Sequence, residues 1–487
     1  MEETSNNLFQ MVRGICFSLI FLFLGFQSAF AKSIIKGSAP DYIGQKVGLS
    51  FTSDFISNKS QISSSDIVKE DGSFIVYSES EKVQLFKLEI GKVYSLIYLE
   101  PEIEYQVKIP EYKGIKNENL NDRYPVNLEL AAPEDEKLNA HILKFNREYD
   151  TFIKEHFMLI LRRGAKTRVD TFKRDVIPGF LKYQNRFYLD YVEAQLGLLD
   201  LISSHSKKQI YNDYFDSKKI NYSSDAYMKF FKEFYKDFFK AFYFVDDEVR
   251  LILAVEKHAS VDSLDNVLKN HAFLKNDDLR ELVMIKELYF NTVNGRFKDN
   301  DTRKMLLEIK SKTQIEEHKL IIDNLLSKSD KLALGSQAPE FSLPQLNGKN
   351  LSLSSLRGKY VYLDFWATWC APCMRSMKMM NQLYPKYRDS IEFVSISIDK
   401  NLSRAQEFQE QEQYPWIFLH FNGFEEIKED YQVLAVPTYY LIDPKGKLIQ
   451  SPAFHPESGI ERYFQEITRA KTKDTQNRFW EEKPGGK

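Results

Sequence analysis

The sequence predicts a multidomain α+β protein with an N-terminal β-sandwich, a central all-α domain and a C-terminal α/β domain. Three patterns follow one another along the 487 residues: alternating apolar and polar segments, then long helical periodicity, then strands that alternate with helices. At about 150 residues per domain, this length suits about three domains.

The composition limits the classes of function. Hydrophobic residues make up 43% of the chain and charged residues 28%, which excludes a disordered polar chain and a polytopic membrane protein. Lys and Arg number 67 against 69 Asp and Glu, a formal charge of -2. Because non-specific nucleic-acid binding needs a broad basic field, we expect no nucleic-acid partner.

Residues 1–31 have the features of a secretory signal peptide. Arg13 precedes an apolar run over residues 15–26, and Ala29-Phe30-Ala31 provides the small residues of a cleavage site. About 12 apolar residues fall short of the ~20 that span a bilayer, which disfavours the alternative of an uncleaved anchor. We predict cleavage after residue 31, or translation from Met11, and an exported protein of the periplasm or cell envelope.

Residues 32–112 predict a small antiparallel β-sandwich. Asp71-Gly72 and Gly91-Lys92 stand between apolar runs as turns, and a polar stretch over residues 114–125 indicates a linker. Alternation predicts strands at residues 46–52, 73–77, 83–89, 93–99 and 105–109.

Residues 134–327 predict an all-α domain, because Gly and Pro are rare there apart from Pro178-Gly179. One aromatic stripe is typical of a helix packed into a core, while a membrane-surface or peptide-binding helix is the alternative. The stripe consists of Tyr227, Phe230, Phe231, Phe234, Tyr235, Phe238, Phe239 and Phe242.

Residues 333–470 predict the α/β domain, and the polar residues 471–487 predict a frayed tail. Helical segments follow Cys370, Ser403 and Pro456. Apolar strands are predicted at residues 360–366, 391–398, 438–442 and 448–451.

Cys370 and Cys373 are the cysteines left once the predicted signal peptide, with Cys16, is removed. They follow a predicted strand and open a predicted helix, where unpaired N–H groups and the helix dipole favour a negative sulfur. We expect Cys370 to be exposed and to attack as a thiolate. Cys373, one turn later, is expected to face the interior and to resolve the mixed disulfide.

Three other uses of the cysteine pair stay open. A zinc site needs two further ligands, but the histidines are scattered without metal spacing. A structural disulfide would close a loop of about four residues, where the entropic gain is smallest. A peroxidase requires Thr or Ser three residues before its attacking cysteine, and Ala367 occupies that position. We expect no metal and no cofactor.

Motifs around the cysteines carry a family resemblance. They are Ala338-Pro339-Glu340-Phe341, Gly348-Lys349, Leu356-Arg357-Gly358-Lys359, Asp364-Phe365-Trp366-Ala367, Trp369-Cys370-Ala371-Pro372-Cys373, Val436-Pro437-Thr438 and Asp443-Pro444-Lys445-Gly446-Lys447. Together they resemble the thioredoxin-like domain of the TlpA/ResA-type envelope thiol-disulfide oxidoreductases. The resemblance covers under a third of the chain.

The resemblance implies a redox disulfide between Cys370 and Cys373 beside a buried carboxyl, Asp364. Burial of an unpaired Asp is costly in its charged form, so we expect a raised pKa and a role as proton acceptor or donor for Cys373. A surface-facing Asp on an edge strand is the alternative.

The resemblance also implies a substrate groove. Pro437 is expected to form a cis peptide bond facing the cysteines, which leaves the backbone of Val436 free to pair with an extended substrate. A trans proline at a strand start is the alternative. Thr438 follows in the same motif, and Trp369 is expected to shield Cys370 and to line the groove.

The implied function is an exported thiol-disulfide oxidoreductase that reduces disulfides of envelope proteins and receives electrons from a thiol donor at the membrane. The chain departs from the family at Ser376, where many members acting in cytochrome maturation carry Glu, and this weakens that substrate assignment. The alternative function is an envelope binding or scaffold protein whose β and helical domains recognise a partner.

Overall fold

The computed structural model describes residues 32–111, 124–126, 128–130, 138–162, 164–203, 205–242, 247–423 and 425–469. The predicted signal peptide with Cys16, nearly all of the predicted linker and the predicted tail lie outside the described residues. Among the helices that are described, none is long and apolar enough to cross a bilayer.

The described residues fall into two units. The first holds those of residues 32–52, 60–111 and 125–146, and the second holds those of residues 53–59, 124 and 147–469. The predicted boundaries between three domains stay predictions.

The first unit is built mainly from short strands. The strands are β1 (Ser33–Ser38), β2 (Lys46–Asp54), β3 (Lys59–Ile67), β4 (Ser73–Ser78), β5 (Gln84–Ile90), β6 (Val93–Leu99), β7 (Glu104–Lys108), β8 (Tyr124–Pro125) and β9 (Glu129–Leu130). They form two sheets, in the orders β4-β1-β7-β9 and β3-β2-β5-β6-β8, and side chains of both sheets contribute to one apolar cluster. The β-sandwich arrangement itself stays a prediction. The expectation of purely antiparallel pairing was wrong, because β1 pairs in parallel with β7.

Glycines in two turns explain why some of these strands could be predicted from the sequence. Gly72 and Gly91 have φ angles of 77° and 54°, a left-handed conformation that favours glycine, and Gly91 closes the hairpin between β5 and β6. Buried residues alternate along β4, as expected for a strand with one covered face. β1 and β3 were not predicted, because β3 is polar and β1 adjoins the predicted signal peptide.

The central region of the chain is helical, as predicted. The helices are α1 (Leu138–Leu161), α2 (Lys166–Asp175), α3 (Arg186–Ile202), α4 (Lys207–Tyr214), α5 (Asp225–Phe234), α6 (Asp247–Ile252), α7 (Val261–Leu268), α8 (Asp277–Val293), α9 (Asp299–Lys312) and α10 (Glu316–Lys331). α6 continues into a π-helical turn at Leu253–Lys257.

The aromatic stripe lies in the core of this helical region. Its phenylalanines are buried in a cluster with side chains of α8 and α10, which favours the core interpretation over a membrane-surface helix. The expectation of one continuous helix was wrong. α5 ends at Phe234, Asp237 takes a φ of 50°, and a 3₁₀ turn (Phe238–Phe242) follows. The left-handed residue interrupts the helix while the buried aromatic pattern continues beyond it.

The C-terminal region is an α/β layer structure. Its strands are β10 (Ser342–Pro344), β11 (Asn350–Ser352), β12 (Tyr360–Trp366), β13 (Ile391–Ser397), β14 (Ile417–His420), β15 (Thr438–Ile442) and β16 (Leu448–Gln450). Five of them form a sheet of order β14-β13-β12-β15-β16, in which the central strand β12 pairs in parallel with β13 and antiparallel with β15. The helices are α11 (Ala371–Tyr387), α12 (Leu402–Glu412), α13 (Glu425–Asp430) and α14 (460–469).

Alternation along β12 decides what each face of this sheet contacts. Val361, Leu363 and Phe365 enter one apolar cluster. Tyr362 and Trp366 enter the other cluster, together with side chains of α11 and both cysteines. Since side chains alternate along a strand, Asp364 shares the face of Tyr362 and Trp366. The fold thus places a carboxyl in the apolar layer beneath α11.

Candidate active site

Cys370 and Cys373 form a disulfide at the N-terminus of α11, with their Cα atoms 5.3 Å apart. Cys370 is the N-cap residue, and the Cys373 backbone N–H donates a hydrogen bond to Cys370 Sγ at 3.2 Å. Pro372 fits the first turn because that position needs no N–H donor. When the disulfide opens, the same N–H and the helix dipole stabilise a thiolate on Cys370.

The disulfide is more enclosed than its position at a helix end suggests. Cys370 is 4% exposed and Cys373 1% exposed, so the expectation that Cys370 is exposed was wrong for this oxidised state. Trp369, in contrast, is 65% exposed beside it. Trp369 is thus the exposed side chain next to an enclosed disulfide.

The turn that leads from β12 into α11 is held by a buried carboxylate, Asp399. This residue is 2% exposed and accepts hydrogen bonds from the Thr368 backbone N–H at 2.9 Å and from the Thr368 hydroxyl at 2.8 Å. The Ser397 hydroxyl donates a third hydrogen bond at 2.9 Å. With these three hydrogen bonds, Asp399 fixes the residues just before Trp369 and Cys370.

A second loop faces the cysteines. The Val436–Pro437 peptide bond is cis, and the Val436 carbonyl oxygen lies 3.5 Å from Cys370 Sγ. The Thr438 hydroxyl donates a hydrogen bond to the Ala435 carbonyl at 2.6 Å, which closes this loop at the start of β15. The structure thus brings Val436 and Cys370 together, as the resemblance implies.

Asp364 is a buried carboxyl without a countercharge. It is 1% exposed, and the Ser395 hydroxyl donates a hydrogen bond to its Oδ2 at 3.1 Å. Its Oδ1 has no hydrogen-bond partner among the described residues. Burial raises the pKa of Asp364 to about 8, the Ser395 hydrogen bond opposes this rise, and the Glu457 carboxylate adds to it. The carboxyl therefore changes its protonation state near neutral pH, as a proton acceptor for a thiol requires.

Sequence reasoning missed three residues of this site, Asp399, Ser395 and Tyr439. Asp399 directly follows an apolar parallel strand, and polar residues at the carboxyl ends of such strands are frequently functional, so a signal for it existed. Ser395 and Tyr439 lie opposite Asp364 on the neighbouring strands β13 and β15. Their roles depend on strand register, for which the sequence gives no local signal.

The C-terminal region is similar to known proteins. A model of the AhpC/TSA family matches residues 334–451. The thiol-disulfide oxidoreductase ResA of Bacillus cereus is 37% identical over 144 residues, which cover 29% of this chain and 83% of ResA. ResA of Geobacillus kaustophilus is 33% identical over 149 residues, 30% of this chain and 85% of that protein.

Among solved structures, a thiol-disulfide oxidoreductase from Bacteroides fragilis is 28% identical, with a TM-score of 0.25, and covers 27% of this chain and 100% of that one. The sequence similarities to the two ResA proteins confirm the resemblance for the C-terminal domain, which is thioredoxin-like. They favour an oxidoreductase over the binding or scaffold alternative.

Proposed function

We propose a function from the premise that the chain belongs, through its C-terminal domain, to the ResA-like thiol-disulfide oxidoreductases. The reaction that the site supports best is reduction of protein disulfides by the Cys370–Cys373 dithiol. One arrangement carries this proposal: Cys370 Sγ accepts the Cys373 N–H at the start of α11, and the unpaired Asp364 lies in the apolar layer beneath that helix.

In the first step, the Cys370 thiolate attacks one sulfur of the substrate disulfide. A bond forms between Cys370 Sγ and that sulfur, the substrate S–S bond breaks, and the second substrate sulfur leaves as a thiolate that takes a proton from water. The α11 N-terminus favours the attacking form because its N–H groups and dipole stabilise negative sulfur.

In the second step, Cys373 resolves the mixed disulfide. Its thiol gives a proton to the Asp364 carboxylate, and its sulfur attacks Cys370 Sγ as the bond to the substrate breaks. The remaining substrate sulfur leaves and becomes a thiol by taking up a proton. Over both steps, two electrons pass from the dithiol to the substrate, and the chain is left with the disulfide observed here.

The substrate segment is proposed to lie along the loop of Val436, Pro437 and Thr438. Backbone groups of this loop offer pairing to an extended peptide, since the Val436 carbonyl faces Cys370 Sγ at 3.5 Å. The exposed Trp369 ring provides an apolar wall beside the disulfide, where an aromatic side chain gives large contact area at small entropic cost.

We further propose export to the periplasm or cell envelope, on the strength of the signal-peptide pattern in residues 1–31. The expected partners are disulfide-containing envelope proteins and a thiol donor at the membrane that reduces the Cys370–Cys373 disulfide after each turnover. We also propose the three-domain division, with residues 32–112 as a β-sandwich and residues 134–327 as a helical domain.

A trapping experiment tests the proposal. In the full chain, Cys373→Ser removes the resolving sulfur, so Cys370 is expected to accumulate mixed disulfides with envelope proteins that a reductant releases. The matched control is the double variant Cys370→Ser/Cys373→Ser, which is expected to capture none. Equal capture by the two variants, or no capture by either, contradicts the proposed exchange.

The direction of exchange has its own measurement. Relatives with this cysteine spacing range from about -270 mV for reductants to about -120 mV for oxidants. We expect the midpoint potential of the Cys370–Cys373 couple near the reducing end of this range. A value near the oxidising end would overturn the assignment as a reductase and leave thiol-disulfide exchange itself intact.

A further inference from the structure

Asp364 faces a difficulty that the proposed reaction does not solve. At pH 7 this carboxyl mostly holds its own proton, because its pKa is about 8, and it must lose that proton before it can accept one from Cys373. With 1% exposure, the carboxyl has no direct contact with water through which this proton can leave. A series of polar side chains that reaches the surface gives such a proton a route to solvent.

Tyr439 provides the first neighbour of such a chain. It lies directly opposite Asp364 in the antiparallel pairing of β12 with β15. Opposed side chains in such a pair share one face, with Cβ atoms about 4.5 to 5.5 Å apart. Tyr439 is 1% exposed, and its hydroxyl has no hydrogen-bond partner in the described part of the chain.

Ser376 and Glu457 provide a hydrogen-bonded pair between the buried layer and the surface. Ser376 is 1% exposed and lies on α11, three residues after Cys373. Its hydroxyl donates a hydrogen bond of 2.7 Å to Glu457 Oε1. Glu457 belongs to the 3₁₀ turn Pro456–Ser458 and is itself exposed. A solvated carboxylate therefore reaches inward to a hydroxyl in the layer that contains Asp364.

Electrostatic couplings connect the same four groups. Burial raises the pKa of Tyr439, the Asp364 carboxyl raises it further, and the Ser376 hydroxyl lowers it. Glu457 in turn raises the pKa of Asp364. The protonation of Tyr439 thus depends on Asp364 and Ser376, and the protonation of Asp364 depends on Glu457.

We propose that Tyr439, Ser376 and Glu457 form the route by which Asp364 exchanges its proton with solvent. The inference rests on the proton-acceptor role proposed for Asp364. Tyr439, Ser376 and Glu457 are positioning residues that act through Asp364. Before Cys373 gives its proton to Asp364, the route passes the proton that Asp364 already holds through the two hydroxyl groups to the Glu457 carboxylate, which releases it to water.

Three other polar side chains near Asp364 do not connect it to a solvated carboxylate. Tyr362 precedes it on the same face of β12 and donates its hydroxyl to the Phe454 carbonyl at 2.8 Å. Ser395 of β13 accepts the indole N–H of Trp416 at 2.9 Å and leads into the core. The His455 ring lies 5.0 Å from the Tyr439 ring and presents its edge to it. Among these neighbours, Ser376 is the one whose partner is a solvated carboxylate.

The test uses the full chain in single-turnover reduction of a small-molecule disulfide at pH 7, in H₂O and D₂O. Ser376→Ala and Tyr439→Phe are expected to slow the resolving step about tenfold and to raise its solvent isotope effect, because proton transfer becomes limiting. Glu457→Gln is expected to behave similarly and to regain rate when imidazole is added. Glu461→Gln is the control, because Glu461 also accepts hydrogen bonds from α11, at Lys386 and Tyr387.

Two results would overturn the route. One is unchanged rates in all three variants. The other is slower rates without a larger isotope effect and without rescue by imidazole, which indicates a structural role only. Asp364→Asn in the same assay separates the two proposals. If it slows resolution while the three variants do not, the route fails and the proposed reaction stands. If Asp364→Asn has no effect, the proton-acceptor role fails as well.

Discussion

Two buried carboxyl groups, Glu287 of the helical region and Asp364 of the redox domain, differ in the countercharges and hydrogen-bond donors that surround them. Glu287 is 2% exposed, with Lys286 Nζ 2.5 Å from its Oε1. The Phe239 backbone N–H and the Asn291 amide donate to its other oxygen, each at 3.1 Å. Asp364 is equally buried but has one hydroxyl donor, and no Lys or Arg pairs with it in the described part of the chain.

The comparison teaches how to separate structural from reactive buried acids. A buried charge is tolerated when a countercharge and several donors surround it, as at Glu287. A buried acid left without them keeps its proton to higher pH and becomes available for proton transfer, as at Asp364. Asp399, beside the active site, resembles Glu287 in this respect, since three donors surround its buried carboxyl group.

The largest expected difference concerns the pH dependence of stability. The folded-state pKa of Asp364 is about 8, above the ordinary 3.8. The folded protein therefore holds this proton where the unfolded chain has lost it, and stability falls as pH rises from about 4 to about 8, by about 1.4 kcal/mol per pH unit. Asp364→Asn should remove this slope and raise the free energy of unfolding at pH 8.

Chemical denaturation of the oxidised protein at pH 5 and pH 8 measures this slope in both forms. Equal pH slopes for wild type and Asp364→Asn would show that Asp364 is not held protonated by burial.

Substitution of Glu287, the buried acid paired with a lysine, should lower stability and leave the redox rate unchanged. Glu287→Gln leaves Lys286 buried without its countercharge, so we expect a loss of about 3 to 5 kcal/mol in the free energy of unfolding. The rate of disulfide reduction, measured under conditions where the variant is folded, should not change. In the control Lys286→Met/Glu287→Gln the unpaired charge is gone, and much of the lost stability should return. A change in the redox rate of folded Glu287→Gln would break the distinction between the two acids.

The smallest effect on stability is expected when Asp399 loses one of its hydrogen-bond donors. Thr368→Val removes the hydroxyl that donates to Asp399, and hydrogen bonds to charged groups contribute about 1.5 to 3 kcal/mol, so stability should fall by about that amount. Thr368→Ser keeps the donor and serves as the control. Thermal unfolding compares the two variants. Equal stability of the Val and Ser variants would show that Asp399 does not depend on this hydroxyl.

Local sequence patterns predicted those parts of the molecule whose conformation depends on residues adjacent in the chain. The strand 360–366, the cysteine pair and the helix after it are contiguous, so alternation and helix-start chemistry were sufficient. The enclosure of Cys370 was not predictable in this way, because Val436, which faces it, lies 66 residues further along the chain.

The same limit explains the other differences. The partners of Asp364 come from strands β13 and β15, so their identity depends on register and not on local sequence. The aromatic stripe keeps its helical period through Asp237. The left-handed backbone conformation of that residue separates α5 from the following turn, and the sequence pattern does not show it.

The central claim is that the Cys370–Cys373 dithiol exchanges disulfides with Asp364 as proton acceptor. The most direct test is the pH dependence of the single-turnover rate at which the reduced full chain resolves a mixed disulfide, in wild type and in Asp364→Asn. We predict that the wild-type rate rises with pH and levels off near 8, where the carboxyl becomes ionised. In Asp364→Asn this rise should be lost and the rate at pH 7 should fall about 100-fold. Superimposable pH profiles for the two proteins would contradict the account.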